Sequence, residues 1–340
     1  ANTRGLELAG ITAETPDPPG GAIDHDPATG QPTGILKETA MDLMARLFAD
    51  PSDEEAAAAI RVAQTNAHKQ GLVGVHTMEG AAAFRGFQKL RASGELKMRI
   101  LMQIPEDNLD AAIQTGIRSG FGDELLRIGG LKAFADGALG ARTAFMLAPY
   151  EGEPDNCGIA VSEAEHLNAL VGKASQAGIA AYIHAIGDRS NREVLDAVEA
   201  SRKAGHGLDL RHRSEHTQIL HPDDIPRLAE LGVIASMQPI HAMQDMLVAD
   251  ELWGQRCAGA YAWRSLLDAG AVLAFGSDSP VEDLNVMKGI HAAVTRRRPD
   301  GSPGPEGWVP QERLTVTEAV YAYTAGAAYA SGEEAIKGTL

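Results

Sequence analysis

Cysteine is nearly absent from this chain, which has only Cys157 and Cys257. They lie too far apart to build a Cys-x-x-Cys site or a disulfide framework, which points to a reducing, cytoplasmic setting. Long apolar runs are missing too. Nothing approaches the roughly 18 residues of a membrane span, and no secretory apolar region opens the chain. Basic charge is scarce, with 30 Lys and Arg against 46 Asp and Glu. The formal net charge of −16 disfavours nucleic acid and anionic membranes as partners. There is no internal repeat and no low-complexity tract. None of the eleven histidines stands in a His-x-His pair, so histidine ligands would arrive singly, from separate segments.

What is present is an ordinary globular composition, 44% hydrophobic and 22% charged. Its 340 residues suffice for one α/β barrel or two ordinary domains. Residues 1–36 are rich in Pro, Gly, Asp and Thr and read as turns and extended loop. Helical patterns follow at 37–49 and 53–70. Short apolar runs then alternate with amphipathic stretches, as buried parallel strands alternate with covering helices. Strands are predicted near 72–76, 97–103, 126–134, 179–184, 210–216, 233–237 and 271–276. Helices are predicted near 80–93, 106–118, 163–177, 189–203, 222–231, 258–269, 282–297 and 315–329. Such alternation implies a parallel sheet, barrel or doubly wound. Seven strands are visible where a closed barrel has eight, and the missing one would precede residue 1.

Several of these strands end on a residue able to bind a metal or move a proton, the arrangement a site at a barrel mouth requires. His184 ends Ala-Tyr-Ile-His, and His216 ends Arg-Ser-Glu-His on the next strand. Strict alternation puts His212, Ser214 and His216 on one face, with His216 nearest the mouth, and sends Glu215 to the other face. Asp278 lies in Gly-Ser-Asp-Ser-Pro, as a site carboxylate or a helix cap. Lys132 stands inside an apolar strand, where a lysine is costly unless paired or modified. Carbon dioxide would turn it into a bridging carbamate; alternatively it pairs with Asp136. His76 either meets substrate or hydrogen-bonds at the mouth. Arg142 either clamps a substrate carboxylate or pins its own loop. His241 is a weaker mouth candidate.

Taken together, Lys-Ala-Phe-Ala-Asp-Gly-Ala-Leu-Gly-Ala-Arg-Thr-Ala at 132–144, Ile-His-Ala-Ile-Gly-Asp-Arg at 183–189, Ser-Glu-His-Thr-Gln at 214–218 and Phe-Gly-Ser-Asp-Ser-Pro-Val at 275–281 resemble the amidohydrolase superfamily. With the Thr-Pro-Asp-Pro-Pro-Gly-Gly and Thr-Gly-Ile-Leu-Lys-Glu segments within 9–38, they resemble its YtcJ-like, amidohydrolase 3 group of metal-dependent hydrolases. The resemblance implies a TIM-type (β/α)8 barrel holding one or two divalent ions, zinc foremost. It also implies Lys132 as a carbamylated metal ligand, His184 and His216 as ligands, and Asp278 as ligand and catalytic aspartate. His76, Asp136 and Arg142 are the expected substrate-binding residues. The family's first-strand His-x-His and small β-sandwich have no counterpart here, so residues 37–340 read as a barrel truncated at both ends.

The expected reaction is metal-assisted hydrolysis of a non-peptide carbon–nitrogen bond in a small molecule. The alternatives are an inactive barrel fragment, or a related esterase, lactonase or phosphoesterase. A raw barrel edge would favour self-association.

Overall fold

The computed structural model describes residues 1–339. Its main sheet has seven parallel strands: β3 (Gly74–Thr77), β4 (Arg99–Pro105), β5 (Leu126–Phe134), β6 (Ala181–Ala185), β7 (Arg213–His216), β8 (Ile234–Met237) and β9 (Leu273–Phe275). They lie side by side in chain order, which leaves β3 and β9 at the edges. Helices connect them, and the sheet curls into most of a TIM-type barrel. All seven strands fall where the apolar runs predict them. Among the described residues no eighth strand closes the seam, and no helix is long and apolar enough to cross a membrane.

Register sorts the side chains. Tyr182 stands beside Lys132 on one side and Arg213 on the other, and His184 stands beside Phe134 and Glu215. These rows face the lumen. Leu131, Ala133, Ala181 and Ile183 face outward into a core shared with Leu167 and Val171 of the helix Ala164–Gln176 and Val194 and Val198 of the helix Asp188–Lys203. Paired glycines let β5 sit close to its neighbours. A Cβ at Gly130 would collide with the Ala180 carbonyl, and one at Gly129 would press on Leu101 and Tyr182.

Strict alternation fails on β7. Ser214 donates to Asn191 Oδ1 at 2.7 Å, and His212 Nδ1 accepts from the Ala181 amide at 3.1 Å, so both face the helix layer. Arg213 and Glu215 are the lumen residues. Glu215 therefore does not support the outer layer, and His216 reaches the mouth by another route.

Arg213 crosses the lumen. Its guanidinium lies 3.0 Å from His76 Nδ1 on β3, although β4, β5 and β6 separate the two strands in the sheet. It stacks 3.9 Å from the Tyr182 ring centroid and also bonds the Ala330 carbonyl. Glu215 Oε1 lies 3.7 Å away. This fully buried cation braces opposite walls and closes the floor beneath the mouth.

The amino-terminal segment is more ordered than its composition predicts. The helix Thr3–Ala9 precedes an antiparallel hairpin of β1 (Gly21–His25) and β2 (Pro32–Glu38). Ile11, Ile23 and Ala40 form its small core, enough to fold a Pro- and Gly-rich stretch once it docks on the barrel. The helix predicted over 37–49 is displaced, because β2 runs through Glu38 and only a 3-10 turn and the single turn Asp42–Ala45 follow. Like Thr3–Ala9, the helix Pro239–Trp253 has no counterpart among the predicted helices. Most of its residues are buried and its exposed positions include the apolar Leu247 and Val248, so it lacks the polar stripe by which a surface helix is recognised.

Replacing Arg213 by Met should cost about 3 kcal/mol of unfolding free energy in urea titrations, because it strands Glu215 and the Ala330 carbonyl in the floor. A loss below about 1 kcal/mol, the size of an ordinary substitution, would mean that the cross-lumen brace contributes little.

Candidate metal centre

The site is organised from a carboxylate outside it. Asp136 follows β5 and has no exposed surface. Its oxygens accept from the amides of Phe145 (2.8 Å), Ile186 (3.0 Å) and Gly187 (2.8 Å) and from Ser190 Oγ (2.7 Å). Burial pushes its carboxyl up to about 7, and the four donors pull against that shift. The expectation that Asp136 binds substrate is corrected: its acceptor capacity is spent on fixing the ends of β5 and β6, and it has no surface left to offer.

That anchor aims His184. Its Nε2 lies 3.0 Å from the Gly137 carbonyl and 3.6 Å from Asp136 Oδ1. A carbonyl can only accept, so Nε2 carries the proton and Nδ1 keeps the lone pair. Burial, with the Lys132 ammonium nearby, lowers its pKa to about 3. His216 gets its direction from the backbone. With φ +76° it leaves the extended region, Thr217 following at +45°, and this turn swings the ring inward against the parity of its strand. Its Nδ1 meets Gln238 Oε1 at 2.9 Å, leaving Nε2 free. The His184 and His216 ring centroids are 4.5 Å apart.

Lys132 is fully buried, and its Nζ has no hydrogen-bond partner. It lies 4.4 Å from the Phe134 ring centroid. Burial lowers its pKa to about 8, against the pull of Glu215 and Asp278. The alternative partner, Asp136, is taken up elsewhere. Asp278, at φ +56° after β9, completes the group. Burial would raise its carboxyl, but His241, His216 and Lys132 outweigh that and hold it below the usual range.

His241 belongs to this group more closely than its sequence position suggests. Pro239 opens the helix after β8, which places His241 in the first turn, at the mouth. Its Nε2 lies 3.2 Å from Asp278 Oδ2, and its Nδ1 lies 3.8 Å from Glu282 Oε1. Burial would depress its pKa, but Asp278, Glu282 and Asp245 override that and raise it to about 9. Ligand atoms of His216, His241 and Asp278 all lie within 4.8 Å of one another. The readable signal was a proline-started helix directly after a barrel strand.

The other two expected substrate contacts lie elsewhere. His76 is committed to Arg213 in the lumen floor. Arg142 pairs with Glu153 at 2.9 Å within its own loop. The donor set at the mouth suits a divalent cation. It offers two imidazole lone pairs freed by bonds on the opposite nitrogens, a carboxylate, and a buried amine lacking any partner.

The chain as a whole is similar to known proteins. The model of the Amidohydrolase family, Amidohydro_3, matches residues 1–340. YtcJ of Bacillus subtilis (strain 168) is 33% identical over 346 residues, covering 100% of this chain and 64% of its own length. An N-substituted formamide deformylase of Arthrobacter pascens is 29% identical, covering 100% of this chain and 64% of its own. Among solved structures, a metal-dependent hydrolase from Pyrococcus horikoshii OT3 superposes with a TM-score of 0.82 at 29% identity, over 100% of this chain and 66% of the other. The chain thus spans less than two thirds of each of these proteins.

The raised pKa of His241 has a measurable consequence in metal-stripped protein. A folded-state value of about 9, above the ordinary 6.5, stabilises the fold fully below pH 6.5, and this is lost as pH rises through 9. Lys132, lowered to about 8 from 10.5, acts in the opposite sense above pH 8. Comparison with His241→Gln isolates the first effect. The stability difference between parent and variant, from urea midpoints at pH 6.5 and 9, should shrink by a few kcal/mol, on the order of 1.4 per pKa unit. A difference that does not change with pH would mean that His241 is not held protonated.

Proposed function

The chain belongs to the Amidohydrolase family, and from that premise we propose that it is a metal-dependent hydrolase of a non-peptide carbon–nitrogen bond, such as an N-substituted amide. The observation that carries the reading is the meeting of Lys132, His184, His216 and Asp278 at one end of the sheet, with the Lys132 amine buried and without a partner. The formamide deformylase among the relatives favours the carbon–nitrogen bond over an ester or phosphoester.

A divalent ion, zinc foremost, would be held by His184 Nδ1, His216 Nε2, Asp278 and the carbamate of Lys132, and would polarise the substrate carbonyl and acidify water. A lowered lysine pKa leaves a fraction of neutral amine at physiological pH. Addition of carbon dioxide to that amine releases one proton and gives an anionic oxygen donor. His241 donates from Nε2 to Asp278 Oδ2 and so fixes the carboxylate, leaving Oδ1 for the reacting side. Asp278 accepts a proton there from the attacking water and returns it to the departing amine nitrogen, as general base and then general acid. Arg213 and His76 close the floor below, so substrate enters and leaves by the mouth.

The direct test is metal content by plasma mass spectrometry on chain purified without a metal-binding tag, followed by a panel of chromogenic amides, esters and phosphoesters. One or two equivalents of metal with turnover of amides supports the reading. Asp278→Asn should then lower kcat by about 10²- to 10⁴-fold while keeping the metal. Near-parental turnover in that variant would remove Asp278 from the chemistry.

A further inference from the structure

Between the amino-terminal hairpin and the metal centre there is one side-chain connection whose geometry is unusual at three points. Glu38, the last residue of β2, has φ +50° and ψ −126°, a backbone conformation that a residue with a side chain adopts at a cost. Its Oε1 accepts from Thr143 Oγ1 at 2.5 Å, across 105 residues of sequence. Gly137 lies directly beneath, and a Cβ at that position would collide with both the Glu38 carboxylate and the Thr143 hydroxyl.

The connection continues inward. Thr143 Oγ1 accepts from the Ala138 amide at 2.9 Å, and the Thr143 carbonyl accepts from the Gly137 amide at 3.3 Å. The peptide so held carries the Gly137 carbonyl, which accepts the proton of His184 Nε2 at 3.0 Å. Four steps therefore lead from a carboxylate on the hairpin to the nitrogen that decides which lone pair of His184 faces the mouth. Thr143 is buried, and besides Glu38 its hydroxyl reaches only the Ala138 carbonyl, at the longer distance of 3.3 Å. Elsewhere the hairpin region meets the same loop through backbone packing, Gly20 lying against Val161.

We propose that Glu38 is a positioning residue, a clamp that couples seating of the hairpin to the tautomer and direction of His184. It touches neither substrate nor reacting atoms. With Glu38 seated, the 137–143 turn is fixed and its carbonyl selects the Nε2–H form. With Glu38 withdrawn, the Thr143 hydroxyl turns to other acceptors, the turn relaxes, and His184 exchanges between tautomers. The consequence for metal rests on the proposed ligand role of His184; the consequence for the tautomer does not.

The experiment reads both on the full chain. Long-range proton–nitrogen spectra of the imidazoles report the His184 tautomer, and zinc competition against a chromophoric chelator reports Kd. The parent should show His184 as Nε2–H. Glu38→Ala should give a mixture of tautomers and weaken zinc by about 10- to 100-fold, the usual effect of losing a partner of a metal-bound histidine. Glu38→Gln, which keeps an oxygen for Thr143, should restore most of both. Thr143→Val cuts the same link from the other end and serves if Glu38→Ala does not fold. If the parent binds no zinc, the metal reading fails and the tautomer alone decides. A parent His184 in the Nδ1–H form, or an unchanged tautomer in both variants, overturns the proposal.

Discussion

The site depends on one carboxylate that no solvent reaches. Asp136 gathers one amide from the loop after β5, two from the turn after β6 and a hydroxyl from the helix that follows. Parallel strands are joined by hydrogen bonds along their length, but their ends are free to splay, and in a barrel the ends are where side chains must converge. Buried donors without partners are expensive, so each bond to Asp136 specifies a loop position as well as stabilising it. His184 is aimed because Asp136 fixes the strand ends between which the Gly137 carbonyl meets it. Replacing this carboxylate would release two strand ends at once, an effect larger than that of losing any single contact at the mouth.

The strands were legible because parallel strands covered on both faces must be apolar runs, and seven such runs stand in the sequence with helices between them. Lys132 was legible as a charge inside one of those runs, and Asp278 as a carboxylate just past the end of another. His216 is a more instructive case. Its place at the mouth was correct, but alternation assigned it the wrong neighbours, because a left-handed residue at the strand end cannot be foreseen from a histidine. His241 was largely hidden, since its helix shows no amphipathic period. Asp136 was misplaced for a chemical reason. An aspartate before glycine after a strand looks the same whether it turns to a ligand or to backbone amides, and only the fold brings Phe145, Ile186 and Gly187 to it.

Charge is layered along the barrel axis. Arg213 and His76 meet in the floor, Glu215 lies two residues further along β7 beside His184, and His216, His241 and Asp278 gather at the mouth. Each buried charge has an opposite charge or an aromatic face close by. Burial and mutual influence drive the two proposed histidine ligands towards neutrality and keep Asp278 ionised. Those are the protonation states a cation requires of its donors, and they precede its arrival.

The left-handed turn at His216 separates two things that a strand normally ties together. In regular alternation, changing which residues line a lumen shifts every side chain beyond them. Here the ligand's direction is set by its own dihedral, downstream of the strand. The lumen positions of β7 therefore shape the cup below without setting the direction of the His216 ring above them. For anyone redesigning this scaffold, the depth and polarity of the cup below the mouth form one adjustable module, and the ring of donors above it forms another.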